Sequence, residues 1–230
     1  MKRRIFLSMI LFLCAVLIGC FSSGPETADS GGSGSEIVGE ARYAEDDSAS
    51  GQPKARYHAS SYGGAGLPVV GGSIFVFKEN FQAVPSASYI PDATTDANGY
   101  FSIGSVSPGK YILEANDGKG KAVAARFTVS GDGKQVDVGT LVALEEAKLR
   151  YTINTGLSAG DEISYRIYML GTRISAQGDG NNLTMDLGSI PTGISYSVKA
   201  ELLKPIAVSK TFTNISFSPG AVLERTFDLQ

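Results

Sequence analysis

The amino-acid sequence predicts an all-β chain, with two tandem β-sandwich units behind a secretion signal and a flexible linker. Three observations predict it. First, short segments of alternating apolar and polar residues recur between turn signals, and no stretch sustains a 3.6-residue apolar period. Second, glycine is abundant at 28 residues and charged residues make up only 19%, a composition suited to many short strands and tight turns. Third, the chain repeats itself. Phe101-Ser-Ile-Gly-Ser-Val-Ser-Pro-Gly-Lys-Tyr111 lines up with Met185-Asp-Leu-Gly-Ser-Ile-Pro-Thr-Gly-Ile-Ser-Tyr196, and Val123 and Phe127-Thr128 line up with Val208 and Phe212-Thr213. A spacing kept across separated segments marks tandem copies of one unit, 36–144 and 145–230.

The first nineteen residues are not part of that unit. Lys2, Arg3 and Arg4 form a positive start, and Ile5–Ile18 is an almost unbroken apolar run. The run is shorter than the roughly 20 residues a membrane-spanning helix needs, which makes it a secretion signal over 1–19. Its end, Leu17-Ile18-Gly19-Cys20, resembles the lipobox of bacterial lipoproteins. That resemblance implies cleavage after Gly19, lipid on the Cys20 sulfur, and acylation of the new amino group. Each buried CH₂ contributes about 0.8 kcal/mol, so two or three chains would hold the protein to a membrane. The only other cysteine, Cys14, leaves with the signal. The folded part is therefore expected to rely on core burial without a disulfide.

Phe21–Ser35 is rich in Ser and Gly and nearly devoid of apolar side chains. Such a segment cannot offset its ordering entropy and behaves as a tether, with an r.m.s. span of roughly 20 Å. Phe21, rather than Asp, follows Cys20. In a cell with two membranes this resembles the default sorting to the outer one, so the expected location is the cell envelope. Loss of Lys2, Arg3 and Arg4 takes the formal charge from −3 to −6, which does not favour nucleic acid or anionic lipid as a partner.

Strands are expected in order at Ile37–Tyr43, Ser73–Phe77, Tyr100–Ile103, Lys110–Ala115, Ala122–Val129 and Gln135–Leu144 in the first copy. The second copy should place them at Lys148–Ile153, Glu162–Leu170, 183–187, Ser195–Leu203, Ser209–Phe217 and Val222–Leu229. Tyr111, Leu113 and Ala115 share one face of their strand. So do Ile163, Tyr165, Ile167 and Met169, and Tyr196, Val198 and Ala200, and a period of two puts each set into a core. Asp96-Ala97-Asn98-Gly99 and Pro108-Gly109 are turn sequences, and Tyr100–Ile103 is expected to pair with Lys110–Ala115 as a hairpin.

Pro68-Val-Val-Gly-Gly-Ser-Ile-Phe-Val-Phe77, then Thr95-Asp-Ala-Asn-Gly-Tyr-Phe-Ser-Ile103 and Val106-Ser-Pro-Gly-Lys-Tyr-Ile-Leu-Glu-Ala115, resemble the carboxypeptidase regulatory-like domain. The resemblance implies a prealbumin-like (transthyretin-like) seven-stranded sandwich. It covers 66–115 most specifically, and the second copy lacks the Asp-x-Asn-Gly turn. The family's module accompanies zinc carboxypeptidases without holding their active site.

Catalytic and metal signals are sparse. Zinc catalysis uses about three protein ligands, and the chain has one histidine, His58, with no His-x-x-Glu or His-Glu-x-x-His. No enzyme, metal or cofactor is expected. Asp92, Asp96 and Asn98 lack the ligand rhythm of a Ca²⁺ loop and read as a turn, as does Asp179-Gly180-Asn181-Asn182. Some related surface sandwiches carry an internal Lys–Asn isopeptide with a catalytic Glu. Glu114 stands near that position, but no Asn follows Asn116 in the first copy. The connection 45–66 is long for its place. Within it Arg56, Tyr57 and Tyr62, together with Tyr43, are candidates for gripping a sugar ring or a peptide. The expected role is thus a lipid-anchored binding, adhesion or scaffold protein. Its partners would be the membrane, through Cys20, and an envelope protein or a glycan. The alternative is a carbohydrate-binding lipoprotein, because the same sandwich class includes starch-binding-like domains. An accessory subunit of an enzyme is a third reading.

Overall fold

A computed structural model describes residues 34–44, 66–158, 161–180 and 184–230. The signal, Cys20, most of the tether, and Arg56, Tyr57, His58 and Tyr62 lie outside the described residues. Within the described residues the chain is entirely β, with sandwich-like sheets and no helix.

The first seven strands are β1 (Ser35–Tyr43), β2 (Ser73–Lys78), β3 (Ala93–Thr94), β4 (Tyr100–Val106), β5 (Gly109–Asn116), β6 (Lys121–Val129) and β7 (Val136–Glu145). They run in the order β3-β2-β5-β6-β7-β1-β4. Only Lys121–Glu145 and Ala122–Leu144 join β6 to β7, so β3-β2-β5-β6 and β7-β1-β4 behave as two layers meeting at one corner. The next seven are β8 (Ala147–Asn154), β9 (Ser164–Met169), β10 (Ser175–Asp179), β11 (Thr184–Ile190), β12 (Ser195–Lys204), β13 (Val208–Ser216) and β14 (Val222–Asp228). They form a four-stranded sheet β10-β9-β12-β13 and a three-stranded sheet β11-β8-β14. The two sets match strand for strand, down to the parallel pairs β1·β7 and β8·β14.

Each set encloses an apolar cluster. Ile37, Ala41, Ile74, Val76, Phe101, Ile103, Leu113, Leu141 and Ala143 fill the first. Leu149, Tyr151, Ile153, Tyr165, Ile167, Met169, Tyr196, Val198 and Phe227 fill the second. The alternating residues expected to face inward are all buried. Twelve expected strands are present within a few residues of their expected ends. Sequence reasoning missed two. The strand β3 is only Ala93–Thr94. The strand β10 is Ser-Ala-Gln-Gly-Asp, which has no apolar alternation and is held by its pairing with β9.

Two expectations are corrected. Tyr100–Ile103 and Lys110–Ala115 do not form a hairpin. The strand β4 pairs with β1, whereas β5 pairs with β2 and β6. The turn at Ser107-Pro108 carries the chain from one layer to the other, and Tyr111 Oη donates back to the Ser107 carbonyl at 2.9 Å. In the second set Tyr196 Oη donates to the Pro191 carbonyl at 2.6 Å. This shared corner explains why the two tyrosines align. The second correction concerns Phe127 and Phe212. Phe127 lies opposite Tyr111, but Phe212 lies opposite Val198, two residues beyond Tyr196. A register irregularity between Tyr196 and Val198, with Asn214 at φ 59°, shifts β13 along its partner. The matching letters therefore occupy different rungs.

The Asp96–Gly99 turn forms as expected. Asp96 Oδ1 accepts from the N–H of Asn98 (2.8 Å) and of Tyr100 (2.9 Å). Gly99 has φ 84°, and a Cβ there would sit 2.5 Å from the Ala41 carbonyl oxygen, so glycine is required at that point.

Candidate functional site

The long connection expected to carry binding residues has described ends only. Tyr43 N–H donates to the Leu67 carbonyl at 2.9 Å, and Arg42 Nη1 donates to the Gly66 carbonyl at 2.8 Å. The chain thus leaves β1 and returns at one place. Tyr43 itself is engaged within the first set. Its hydroxyl donates to Asp117 Oδ2 at 3.2 Å, and Lys121 Nζ stands 5.4 Å from its ring centroid.

The most heavily built polar feature lies elsewhere, on the outer face of the sheet β3-β2-β5-β6. There Phe75, Phe77, Ile112, Glu114, Ala122 and Ala124 are all buried. Two turns of the second set cover part of this face. From the β9–β10 turn, Gly171 N–H donates to the Phe81 carbonyl at 2.9 Å. From the β11–β12 turn, Thr192 gives its carbonyl to Ala124 N–H at 2.7 Å and forms an isolated parallel bridge with Val123. Ile112 and Ala124 belong to the apolar cluster of the second set, so the cluster spans the junction.

Glu114 is the centre of the junction. It is fully buried, and its Oε1 accepts from Arg173 N–H at 3.1 Å while its Oε2 accepts from Arg173 Nε at 3.3 Å. The Arg173 guanidinium also lies 5.0 Å from the Phe75 ring centroid, a cation–π arrangement. Burial pushes the Glu114 carboxyl up to about 7; Arg173 pulls the other way and Glu146 adds to the rise. Burial also raises the Tyr196 hydroxyl well above its ordinary value, with the Glu114 charge as a second cause. Glu114 therefore fastens the two sets together, and its partner is an arginine rather than a Lys–Asn pair. The Asp92 carboxylate accepts from Val76 N–H at 2.7 Å, and burial is the main cause that raises its pKa.

Beside the junction lies an open cleft of about 360 Å³, lined by Lys78, Glu79, Asn80, Pro108, Gly109, Lys110, Leu170 and Ser197. Strand β2 and the β4–β5 turn supply one side, and β9 and β12 the other. Glu79 is held by Arg126 at 2.8 Å, and Arg126 Nη2 continues to the Ser195 carbonyl at 2.6 Å. Sequence reasoning missed both features. A signal was present, because Ser73-Ile-Phe-Val-Phe77 and Tyr111-Ile-Leu-Glu-Ala115 are nearly continuous apolar runs. Such runs mark strands buried on both faces.

No protein-family model matches the chain. It is 30% identical to a rhamnogalacturonate lyase of Dickeya dadantii (strain 3937) over 116 residues, covering 48% of this chain and 19% of the lyase. The chain thus spans about a fifth of the length of the curated relative it matches. Among solved structures it is similar to GBS52, the minor pilin of Streptococcus agalactiae. That match covers 84% of this chain and 94% of the pilin at 11% identity, with a TM-score of 0.34. A candidate cell adhesion protein of Bacteroides ovatus matches over 85% of this chain and 92% of its own, at 13% identity and a TM-score of 0.26. Superpositions this loose carry no argument about function.

Proposed function

We propose that this chain is a lipid-anchored, non-enzymatic protein of the cell envelope that presents two regulatory-like sandwich modules as one binding or scaffolding body. The junction at Glu114 and Arg173 carries the reading. A buried ion pair, two backbone hydrogen bonds from covering turns and a shared apolar cluster hold the second module at a fixed angle to the first. A rigid pair suits presentation or assembly. The Glu114 carboxylate, strongly perturbed by burial, is inaccessible and committed to Arg173, which favours a structural over a catalytic use. The sequence Leu17-Ile18-Gly19-Cys20 supports the anchor, and Phe21 supports an outer membrane where the cell has one. Labelling with radioactive fatty acid tests it. The full-length chain is expected to take up label and Cys20→Ser is not; label on the variant would overturn the anchor. Pull-down of the anchored chain from the envelope would identify its protein partner.

A second reading is carbohydrate binding, favoured by the 30% identity to a protein named as a rhamnogalacturonate lyase. The matched part of that enzyme is a fifth of its length, so the reading takes recognition of an acidic polysaccharide, and not its cleavage, as the shared property. A glycan array with the full-length chain tests it, and Tyr57→Ala/Tyr62→Ala asks whether the 45–66 connection contributes.

A further inference from the structure

The two sets differ along one side of the sandwich. In the first, Lys121–Glu145 and Ala122–Leu144 join β6 to β7 and tie the two layers together. In the second, among the described residues, no rung joins β13 to β14, and the two sheets stay separate. At the corresponding corner Lys210 Nζ donates to the Gln230 backbone oxygen instead. The outer edges of β13 and β14 are therefore unpaired, but they are not alike. Strand β13 carries the register irregularity at Tyr196–Val198, with Asn214 at φ 59°. Strand β7, the counterpart of β14, is also interrupted, opposite Val38–Glu40 and with Gly139 at φ 73°. Strand β14 runs along β8 from Val222 to Asp228 without a shift. Bulges and irregularities blunt an edge against further pairing, and β14 has none.

Side chains alternate along a strand, so Leu223, Arg225 and Phe227 share the inner face of β14. Phe227 is buried, and Leu223 packs on the second apolar cluster. Partly buried Phe212 of β13 meets the Phe227 ring at a centroid distance of 4.8 Å. Arg225 breaks this apolar row. It lies opposite Tyr151, where the first set places Val138 beside Gly39. It is exposed, and among the described residues it makes no hydrogen bond, ion pair or ring contact. The neighbouring acid, Glu224, is on the other face and pairs with Arg150 at 3.5 Å. We propose that the free edge of β14 pairs with an extended segment of another protein, apolar on its inner face and carrying an aspartate or glutamate opposite Arg225. This edge gives the binding reading above, on which it rests, a surface and a class of partner. Main-chain bonds to β14 supply the pairing, and the carboxylate supplies the choice of partner. A second copy of the chain fits badly. Antiparallel pairing of two β14 strands about a two-fold axis opposes Arg225 to Arg225. A slide of two residues opposes Glu224 to Glu224 in one direction and Glu224 to Asp228 in the other. Like charges directly opposite destabilise a strand pair.

Fluorescence anisotropy with the full-length chain in detergent tests this with two labelled peptides. One is Lys-Val-Thr-Glu-Lys-Val-Thr, which in antiparallel pairing sets its glutamate opposite Arg225 and its valines opposite Leu223 and Phe227. The other has lysine in place of that glutamate. The glutamate peptide is expected to bind about tenfold more tightly than the lysine one, and rising salt should narrow the gap. Hydrogen exchange should slow at the amides of β14 and not at those of β11, the opposite edge of the same sheet. Arg225→Glu should reverse the preference between the peptides, an outcome that loss of folding cannot produce. No binding of either peptide, equal binding of both, protection elsewhere than at β14, or a preference unchanged in Arg225→Glu would overturn the assignment. So would a concentration-dependent dimer in sedimentation that itself protects the β14 amides, because the occupant would then be a second copy. Each of these results leaves the broader binding reading standing. That reading fails separately, if the pull-down recovers no envelope partner.

Discussion

The two four-stranded sheets share one strand order but present opposite outer faces. With Tyr111 aligned to Tyr196, the first sheet shows Phe75 beside Glu114 and Phe77 beside Ile112. The second shows Tyr168 beside Lys199, and Leu170 hydrogen-bonded to Ser197. On the first face, Glu114 has no solvent exposure and meets an arginine from the other set. On the second, Lys199 pairs with Glu201 of its own strand at 2.5 Å and reaches Gln82 at 3.1 Å. Topology alone therefore does not decide which repeat accepts a neighbour. A few residues on one face do, by making water a poor partner for it and a packed turn a good one.

The comparison can be broken most severely at Arg173. Arg173→Ala leaves the Glu114 carboxyl buried without its cation; above about pH 7, where the wild-type carboxyl is charged, losing that partner costs about 3–5 kcal/mol. Lys199→Ala, on the corresponding face of the second sheet, should cost under about 1 kcal/mol because its pair is partly solvated. Urea unfolding of both variants checks the contrast. Glu114→Leu combined with Arg173→Met should recover most of the loss, since a matched apolar replacement leaves no charge behind.

The next effect is a pH dependence. The folded Glu114 carboxyl is pushed above 4.5 to about 7. Below the unfolded value both states hold the proton, and the stability linked to it is fully present. Between the two values the folded state keeps a proton that the unfolded chain has lost, so stability falls as pH rises. The total is about 3 kcal/mol, spread over this window and complete above the folded value. Glu114→Gln should flatten that part of the profile. A wild-type stability that rose from pH 4.5 to pH 7 in parallel with the variant would defeat the assignment.

The inner faces were legible in the sequence and the outer ones were not, for a physical reason. A period of two reports which side of a strand is dry, and Tyr196, Val198 and Ala200 obey it because water lies on their other side. In β2 and β5 both sides are dry, so the alternation is lost and the second burial shows only as an unbroken run. The Asp96–Gly99 turn was legible because its bonds are local. The rungs of β13 were not, because a register irregularity is set by cross-strand fit. One compensation also escapes any single strand. Gly39 lies opposite Phe101, whereas Tyr151 lies opposite Met185 at the equivalent place. A Cβ at position 39 would approach the Phe101 ring to 2.7 Å, so a small residue on one strand accompanies a large one on its partner. In the candidate site Lys110 lies in the recognised turn segment, but nothing local to Lys78 or Ser197 foretold that they would share a cleft.

A third test asks how tightly the first face is closed. Gly171 has φ 75°, and a Cβ there would lie 2.6 Å from Ile112 Cδ1 and 3.1 Å from the Glu79 carbonyl oxygen. Gly171→Ala should cost about 2 kcal/mol, combining left-handed backbone with overpacking. Gly118 has φ 66° but open space around its Cβ position. Gly118→Ala should therefore cost only the backbone part, about 1 kcal/mol. Equal losses would show that the junction yields to an added methyl.

The smallest expected difference separates the two tyrosine corners. Tyr111 and Tyr196 make the same bond to the turn that precedes them, but Tyr196 is the more completely enclosed, and its bond to the Pro191 carbonyl is buried. Removing a hydroxyl from a bond that water can replace costs about 0.5–1.5 kcal/mol, whereas a carbonyl left unsatisfied in a dry site costs about 1–3 kcal/mol. Tyr111→Phe should therefore fall in the lower range, because its bond is only partly buried. Tyr196→Phe should fall in the upper one. The Tyr196 corner also orients Pro191-Thr192-Gly193, and Thr192 accepts from Ala124 across the junction. Hydrogen exchange at Ala124 N–H should consequently accelerate in Tyr196→Phe and stay unchanged in Tyr111→Phe. Exchange unaffected by either variant would confine the corner's role to its own module.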